Sequence, residues 1–192
     1  MTGDERVVTI RAEVATVENF APYGELLTTV GEPTPQVYGE ALSPYRAGRL
    51  RSDAEVEWII TTHRMREFRV LYLERHHNIT QTFIPLGGDP IVAAVARPDA
   101  PLENGVPAID EVRAFIIEGT TAANLHLGTW HEVPFPTVEG QTTLLTSHSG
   151  VTTGWGSLNE AGEIDRPQDA EEKRNVLERT GVRLMIDIPA LG

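Results

Sequence analysis

The chain has 192 residues, 40% hydrophobic and 23% charged, a composition that allows one globular domain with a substantial core. It contains no cysteine, which excludes disulfides, thiolate zinc sites and thiol nucleophiles. A formal net charge of −12, with Lys173 the single lysine, argues against nucleic acid or an anionic membrane surface as partner. A small anionic metabolite, held by a few local cations, remains compatible with that background. No apolar run reaches the roughly 18 residues of a membrane span. The start, Met1-Thr2-Gly3-Asp4-Glu5, lacks the basic and apolar regions of a signal peptide, so the expected compartment is the cytoplasm.

In chain order, Val7–Ile10 reads as a first strand, Thr16–Tyr23 as a short helix or turn, and Glu25–Val30 as a second strand. Residues 31–52 carry Pro33, Pro35, Pro44, Gly39 and Gly48, which predicts an irregular loop. Glu57–Thr62, Phe68–Leu73, Thr82–Leu86 and Ile91–Ala96 are β-prone runs. Residues 97–110 read as a loop, Val112–Glu118 as a strand, and Trp130–Phe135, Thr142–Thr146 and Arg183–Ile188 as further short strands. Many short strands with turn residues between them favour a sandwich or barrel over βαβ units. Residues 159–180 form an acidic, partly helical insertion: Gln168–Arg179 has helix-favouring composition, with Asp165 as N-cap and a thin apolar face. Trp155, between Gly154 and Gly156, reads as a packing anchor for an irregular loop.

Two segments carry the chemistry. Glu74-Arg75-His76-His77-Asn78-Ile79-Thr80-Gln81 and Asn124-Leu125-His126-Leu127-Gly128-Thr129-Trp130-His131 hold four of the six histidines, each segment at the end of a β-prone stretch. Residues two apart on a strand share a face, so Tyr72, Glu74 and His76 point one way and Arg75 and His77 the other. Glu74-x-His76, then Gln81, then Gly88 resembles the first motif of the cupin superfamily, with Glu74 and His76 in its His-x-His places and Gln81 in its Glu place. His131 takes the histidine of the second cupin motif, with Gly128 displaced by one position.

A narrower resemblance covers roughly residues 14–146. Glu74-Arg75-His76, Gln81-Thr82-Phe83-Ile84-Pro85 and His126-x-x-x-Trp130-His131 resemble the ureidoglycolate lyase (ureidoglycolate hydrolase) family. Arg113-Ala114-Phe115-Ile116 resembles the family's strand before the second motif, and Phe20-x-x-Tyr23-Gly24 its N-terminal segment. The resemblance implies a mainly β, cupin-like barrel of jelly-roll type with a few short helices, a homodimer, and a lyase that splits ureidoglycolate into glyoxylate and urea in purine and allantoin nitrogen recovery. His76, His131 and Glu74 are expected as catalytic residues, and Gln81, His126, Trp130, Arg113 and His148 as substrate contacts. A weakly bound divalent metal (nickel, manganese, iron or zinc) is expected on His76, His131, Glu74 and Gln81. Two other readings stay open: another cupin lyase or hydrolase for a small hydroxy- or oxo-acid, and a non-enzymatic cupin that binds a small anion.

Three departures bear on the substrate. His77-Asn78-Ile79 follows Glu-Arg-His where the family has Pro-Leu-Gly, Glu132 follows Trp130-His131 in place of a histidine, and Ser147-His148 stands for Asp-Arg. Loss of an arginine and gain of a carboxylate predict weaker ureidoglycolate turnover and a shifted, bulkier or less anionic substrate.

Overall fold

The computed structural model of the protein describes residues 6–29, 41–148, 158–165 and 171–190. Its strands, in chain order, are β1 (Arg6–Val14), β2 (Gly24–Leu27), β3 (Val56–Thr62), β4 (Arg69–Val70), β5 (Tyr72–His76), β6 (Thr82–Leu86) and β7 (Gly88–Ala96). There follow β8 (Leu102–Glu103), β9 (Val106–Pro107), β10 (Arg113–Gly119), β11 (Ala122–Leu125), β12 (Trp130–His131), β13 (Phe135–Pro136), β14 (Thr142–His148), β15 (Ile164–Asp165), β16 (Glu171–Asn175) and β17 (Val182–Asp187). Two short helices, α1 (Val17–Phe20) and α2 (Val176–Thr180), accompany them. Trp155 and residues 31–40 lie outside the described residues, and 41–52 form no strand beyond a single bridge from Ser52 to Ile79.

One strand organises the rest. β7 is a near-continuous apolar run, and Ile91, Val92, Ala93, Ala94, Val95 and Ala96 are all fully buried, as expected of a strand covered on both faces. Its odd-numbered residues join Phe115, Ile117, Phe83, Leu125 and Leu145 in a core between two sheets. Its even-numbered residues join Leu73, Ala114, Ile116, Trp130, Phe135 and Leu184 in a second core on the opposite face. β7 and β10 are therefore a wall shared by both.

The long sheet runs β15-β16-β5-β12-β7-β10-β1-β17-β4, and a five-stranded sheet, β2-β11-β6-β14-β3, covers one of its faces. β1 pairs parallel with β10 and β17, while the other pairings of the two sheets are antiparallel. β4 and β5 stand toward opposite ends of the long sheet yet only Leu71 separates them in the chain, so the sheet must roll up on itself. The result is the mainly β, cupin-like barrel that the strand pattern and the motifs predict.

The run Phe68–Leu73, expected as one strand, is thus two, and a buried carboxylate holds the break. Leu71 and Tyr72 donate their amide N–H groups to Glu132 Oε2, at 2.9 and 2.8 Å. The Arg66 guanidinium lies 3.6 Å from Glu132 Oε1 and stacks 3.9 Å from the Phe135 ring centroid. Burial raises the Glu132 carboxyl above its ordinary range, while the Tyr72 amide, Arg66 and the Leu71 amide oppose that rise. Trp130–Phe135 is likewise divided, into β12 and β13, and β11 is a strand beyond those expected.

The largest correction falls on residues 159–180. Where a helix over 168–179 capped by Asp165 is expected, residues 171–175 form β16, which pairs antiparallel with β15 at the edge of the long sheet; residues 168–170 lie outside the described residues. Among the described residues the helix is confined to α2. Its N-cap is Asn175, whose side chain accepts from the Glu178 amide, and it ends at Gly181 in the left-handed region, φ 67°. Glu163 fastens this strand pair to α2 by accepting from Arg179 Nε and Nη2, at 2.8 and 2.6 Å, and from the Asn175 amide at 2.8 Å. The turn before β15 needs Gly162: at φ 74°, a Cβ there would come within 2.5 Å of the Tyr72 hydroxyl.

Replacing Glu132 by alanine strands the two amides at the roll and removes the partner of Arg66. Denaturant unfolding is expected to show a loss of about 2–4 kcal/mol. Glu132→Gln, which keeps one acceptor oxygen, is expected to lose less. A Glu132→Ala protein as stable as the parent would contradict the role given to this carboxylate.

Candidate active site

Four of the expected residues meet. β12 pairs with β5 so that His131 lies opposite Glu74, and the parity of β5 puts His76 on the same face. The His76 and His131 ring centroids are 5.2 Å apart although 55 positions separate them in the chain (131 − 76). His131 Nε2 is 3.6 Å from Glu74 Oε1, and the Phe83 ring meets the His131 imidazole edge-on. Gln81, just before β6, faces the same cavity, which has a volume of about 270 Å³. Ile59, Phe83, Val133, Pro134 and Leu145 give it apolar walls. It lies between the two sheets, at one end of the core they share.

Strand β16, between β15 and β5, adds two residues that sequence reasoning did not place here. Its register sets Glu171 opposite His76 and Lys173 opposite Glu74, and paired residues share a face. Lys173 Nζ lies 3.7 Å from Glu74 Oε2, and Glu171 is buried, with Oε2 lacking a hydrogen-bond partner among the described residues. On the other face Glu172 pairs with Arg75 and Arg174. In the sequence, one signal singles out this strand: Lys173 is the chain's only lysine.

The electrostatics follow from burial and proximity. Burial alone would raise Glu74, but His131, His76 and Lys173 outweigh it and hold the carboxyl down at about 2, so it is ionised. Burial and the neighbouring His131 push His76 down to about 4 against the pull of Glu74, so its imidazole is neutral at neutral pH. Burial, reinforced by Glu74, raises Glu171 to about 8, so it is mainly protonated there. His131 Nδ1 faces the Thr129 carbonyl at 2.9 Å and donates to it, which leaves Nε2 to present a lone pair toward Glu74 when the ring is neutral. Neither ring nitrogen of His76, nor Nε2 of His131, has a hydrogen-bond partner among the described residues.

Ligand atoms of Glu74, His76 and His131 all lie within 4.8 Å of one another. Two imidazoles and one carboxylate form a mixed nitrogen and oxygen donor set suited to a divalent transition metal. The unpartnered buried nitrogens fit such an ion, and the Gln81 amide faces the same space.

The other expected contacts lie elsewhere. Trp130 precedes His131, so it faces the opposite way; it is buried in the second core, with the Arg75 guanidinium 4.4 Å over its ring. Arg113 is exposed at the start of β10, and its guanidinium donates to the Asp110 and Val112 carbonyls. His126 is exposed, bonds the Ala21 carbonyl at 3.1 Å, and borders a separate open groove with Arg46, Arg49 and Arg51. His148 pairs with Asp53 at 2.7 Å, and its neighbour Ser147 is the one that lines the cavity. Glu132 is engaged at the roll of the sheet. Of the departures from the family pattern, only Ser147 borders the cavity.

The sequence model of the ureidoglycolate lyase family matches residues 7–149. This chain belongs to the ureidoglycolate lyase family. A ureidoglycolate lyase of Pseudomonas aeruginosa (strain LESB58) is 33% identical over 137 residues, which cover 68% of this chain and 78% of that protein. One from Pseudomonas fluorescens (strain Pf0-1) is 34% identical, with the same coverage, and one from Azotobacter vinelandii 27%, covering 80% of its length. The family match spans β1 to β14 and the whole Glu74, His76, Gln81 and His131 cluster. It ends before β15 and β16, so Glu171 and Lys173 reach the cavity from outside it.

Two buried groups give stability opposite slopes with pH. His76, lowered to about 4, binds fewer protons folded than unfolded, so stability is lost as pH falls from its ordinary value, about 6.5, toward 4. Glu171, raised to about 8, binds more protons folded, so stability is lost as pH rises from the ordinary carboxylate range through 8. Between pH 7 and 8 the Glu171 slope is unopposed by His76. Urea unfolding is expected to show a decline on the order of 1 kcal/mol per pH unit there. Glu171→Gln is expected to flatten it, and an unchanged slope in that variant would contradict the assignment.

Proposed function

We propose that this protein is a lyase that cleaves ureidoglycolate into glyoxylate and urea. The observation that carries the reading is the convergence of two buried imidazoles and an ionised carboxylate, with Glu74 and His76 lining one small cavity and His131 packed directly against them, on a chain of the ureidoglycolate lyase family. Ureidoglycolate is a carbinolamide: one carbon bears a hydroxyl, a carboxylate and the ureido nitrogen. Its cleavage moves the hydroxyl proton to a base, turns the C–O bond into the carbonyl of glyoxylate, and breaks the C–N bond. The C–N electron pair goes to the urea nitrogen, which takes up a proton.

His131 Nε2 has the free lone pair to accept the hydroxyl proton, and ionised Glu74 at 3.6 Å stabilises the resulting imidazolium. The same ring can return that proton to the departing nitrogen. The apolar walls limit water and strengthen each charge interaction. Glu74, His76 and His131 would hold a divalent nickel, manganese, iron or zinc ion, with Gln81 as a further oxygen donor; when bound, the ion supplies Lewis-acid polarisation of the hydroxyl. In that loaded state the imidazole lone pairs serve as ligands, and in the metal-free state they act directly as base and acid.

Of the three departures that predict a shifted substrate, Ser147 alone borders the cavity, and the other two do not. Glu132 is engaged away from the cavity, and none of His77, Asn78 and Ile79 borders it. Steady-state kinetics are therefore expected to give kcat/KM on ureidoglycolate of about 10⁴ M⁻¹s⁻¹ or better, within the ordinary enzyme range. His131→Ala is expected to lower kcat by about 10²-fold or more, the scale of a general acid–base residue. Dialysis against a chelator separates the two uses of the imidazoles: activity lost and restored by a divalent ion marks the ligand role, and activity retained by metal-free protein marks the direct one. Absence of glyoxylate and urea from ureidoglycolate would overturn the reading.

A further inference from the structure

The cavity holds a cation that no motif places there. Among the described residues lining it, Lys173 is the only lysine or arginine, in a chain with 16 such residues and a net charge of −12. Backbone register fixes its position: β16 pairs with β5 so that Lys173 lies opposite Glu74. Its ammonium lies 3.7 Å from Glu74 Oε2 and 4.9 Å from the centroid of the Tyr72 ring. The neighbouring arginines are directed away, Arg75 over Trp130 and Arg174 to the Ile164 carbonyl. A monoanion entering without Lys173 would meet the Glu74 carboxylate with no fixed positive charge beside it.

We propose that Lys173 is the carboxylate-binding, specificity-determining residue of this site, orienting small 2-hydroxy-acid monoanions so that their hydroxyl lies at the two imidazoles. The assignment rests on the lyase reading for its substrate, but the recognition it describes is broader: a compact carboxylate bound by an ammonium. At 3.7 Å the contact with Glu74 is an ion pair beyond hydrogen-bond distance, which leaves the ammonium's donors for an incoming carboxylate. β16 is a rigid mount for it, tied to β5 along its length and to α2 through Glu163 and Arg179. Because the family match ends at residue 149, this charge is supplied by a part of the chain outside the shared family region.

The test compares the parent protein with Lys173→Met and Lys173→Arg, on ureidoglycolate and on its uncharged amide, and measures glyoxylate and glycolate binding by calorimetry. Lys173→Met is expected to raise KM for ureidoglycolate about 10- to 100-fold, the scale of one charge-assisted contact, with a smaller change in kcat. It is expected to weaken both small carboxylates similarly and to erase the preference for ureidoglycolate over the amide, while Lys173→Arg restores most of that preference. A purely structural role, exerted through Glu74, would instead lower kcat and affect the charged and uncharged compounds alike, and would overturn the proposal. So would a Lys173→Met protein with KM and carboxylate affinities within twofold of the parent. If the parent fails to cleave ureidoglycolate, the lyase reading falls, and calorimetry with glycolate and glyoxylate still decides the lysine. Lys173→Gln provides the same comparison should the methionine variant fold poorly.

Discussion

Residues directly opposed across an antiparallel pair project from the same face of a sheet, and this cavity depends on that constraint. β5 is flanked by β12 and β16, and the two registers place His131 and Lys173 on either side of Glu74, with Glu171 opposite His76. A slip of one residue in either pairing would turn that strand's contribution to the opposite face. The register is held from both sides. Leu73, Trp130 and Ala96 fill the core beneath the site, while the Glu132 carboxylate fixes the point where the sheet rolls into β5.

Burial then gives similar groups different work. Glu74 and Glu171 are both carboxylates on one face of one sheet, yet Glu74 is ionised and Glu171 mainly protonated near neutrality. The difference lies in their neighbours: Glu74 has His131 at 3.6 Å and Lys173 at 3.7 Å, whereas Glu171 faces the field of Glu74. Two adjacent carboxylates in a space of low dielectric do not both ionise easily. The ionised charges among the lining groups are thus one carboxylate and one ammonium at neutral pH, with neutral His76 between strands. Such a cavity can admit a small anion without placing a second uncompensated negative charge in the interior.

Much of this is legible in the sequence. The barrel follows from short strands and turn residues, and the motifs containing Glu74, His76, Gln81 and His131 identify the residues that meet. What is not legible follows strand parity and pairing. Trp130 and His131 are adjacent and both lie in the motif, but adjacency on a strand sends them to opposite cores; Ser147 and His148 divide in the same way. β16 is hidden for a different reason. Its alternation is written in charged residues, Glu171 and Lys173 on one face and Glu172 and Arg174 on the other, so no hydrophobic period of two appears. The composition Glu-Glu-Lys-Arg favours a helix, and pairing with β5 overrides that local preference.

Glu74 and His131 act as one unit, which a double-mutant cycle on kcat/KM can resolve. Glu74→Gln, His131→Ala and the double variant would be compared under single-turnover conditions with ureidoglycolate. The double variant is expected to be no slower than His131→Ala alone, within about threefold, because a carboxylate that serves the imidazole has nothing to serve once the ring is gone. Losses that multiply would show two residues working independently and would contradict it.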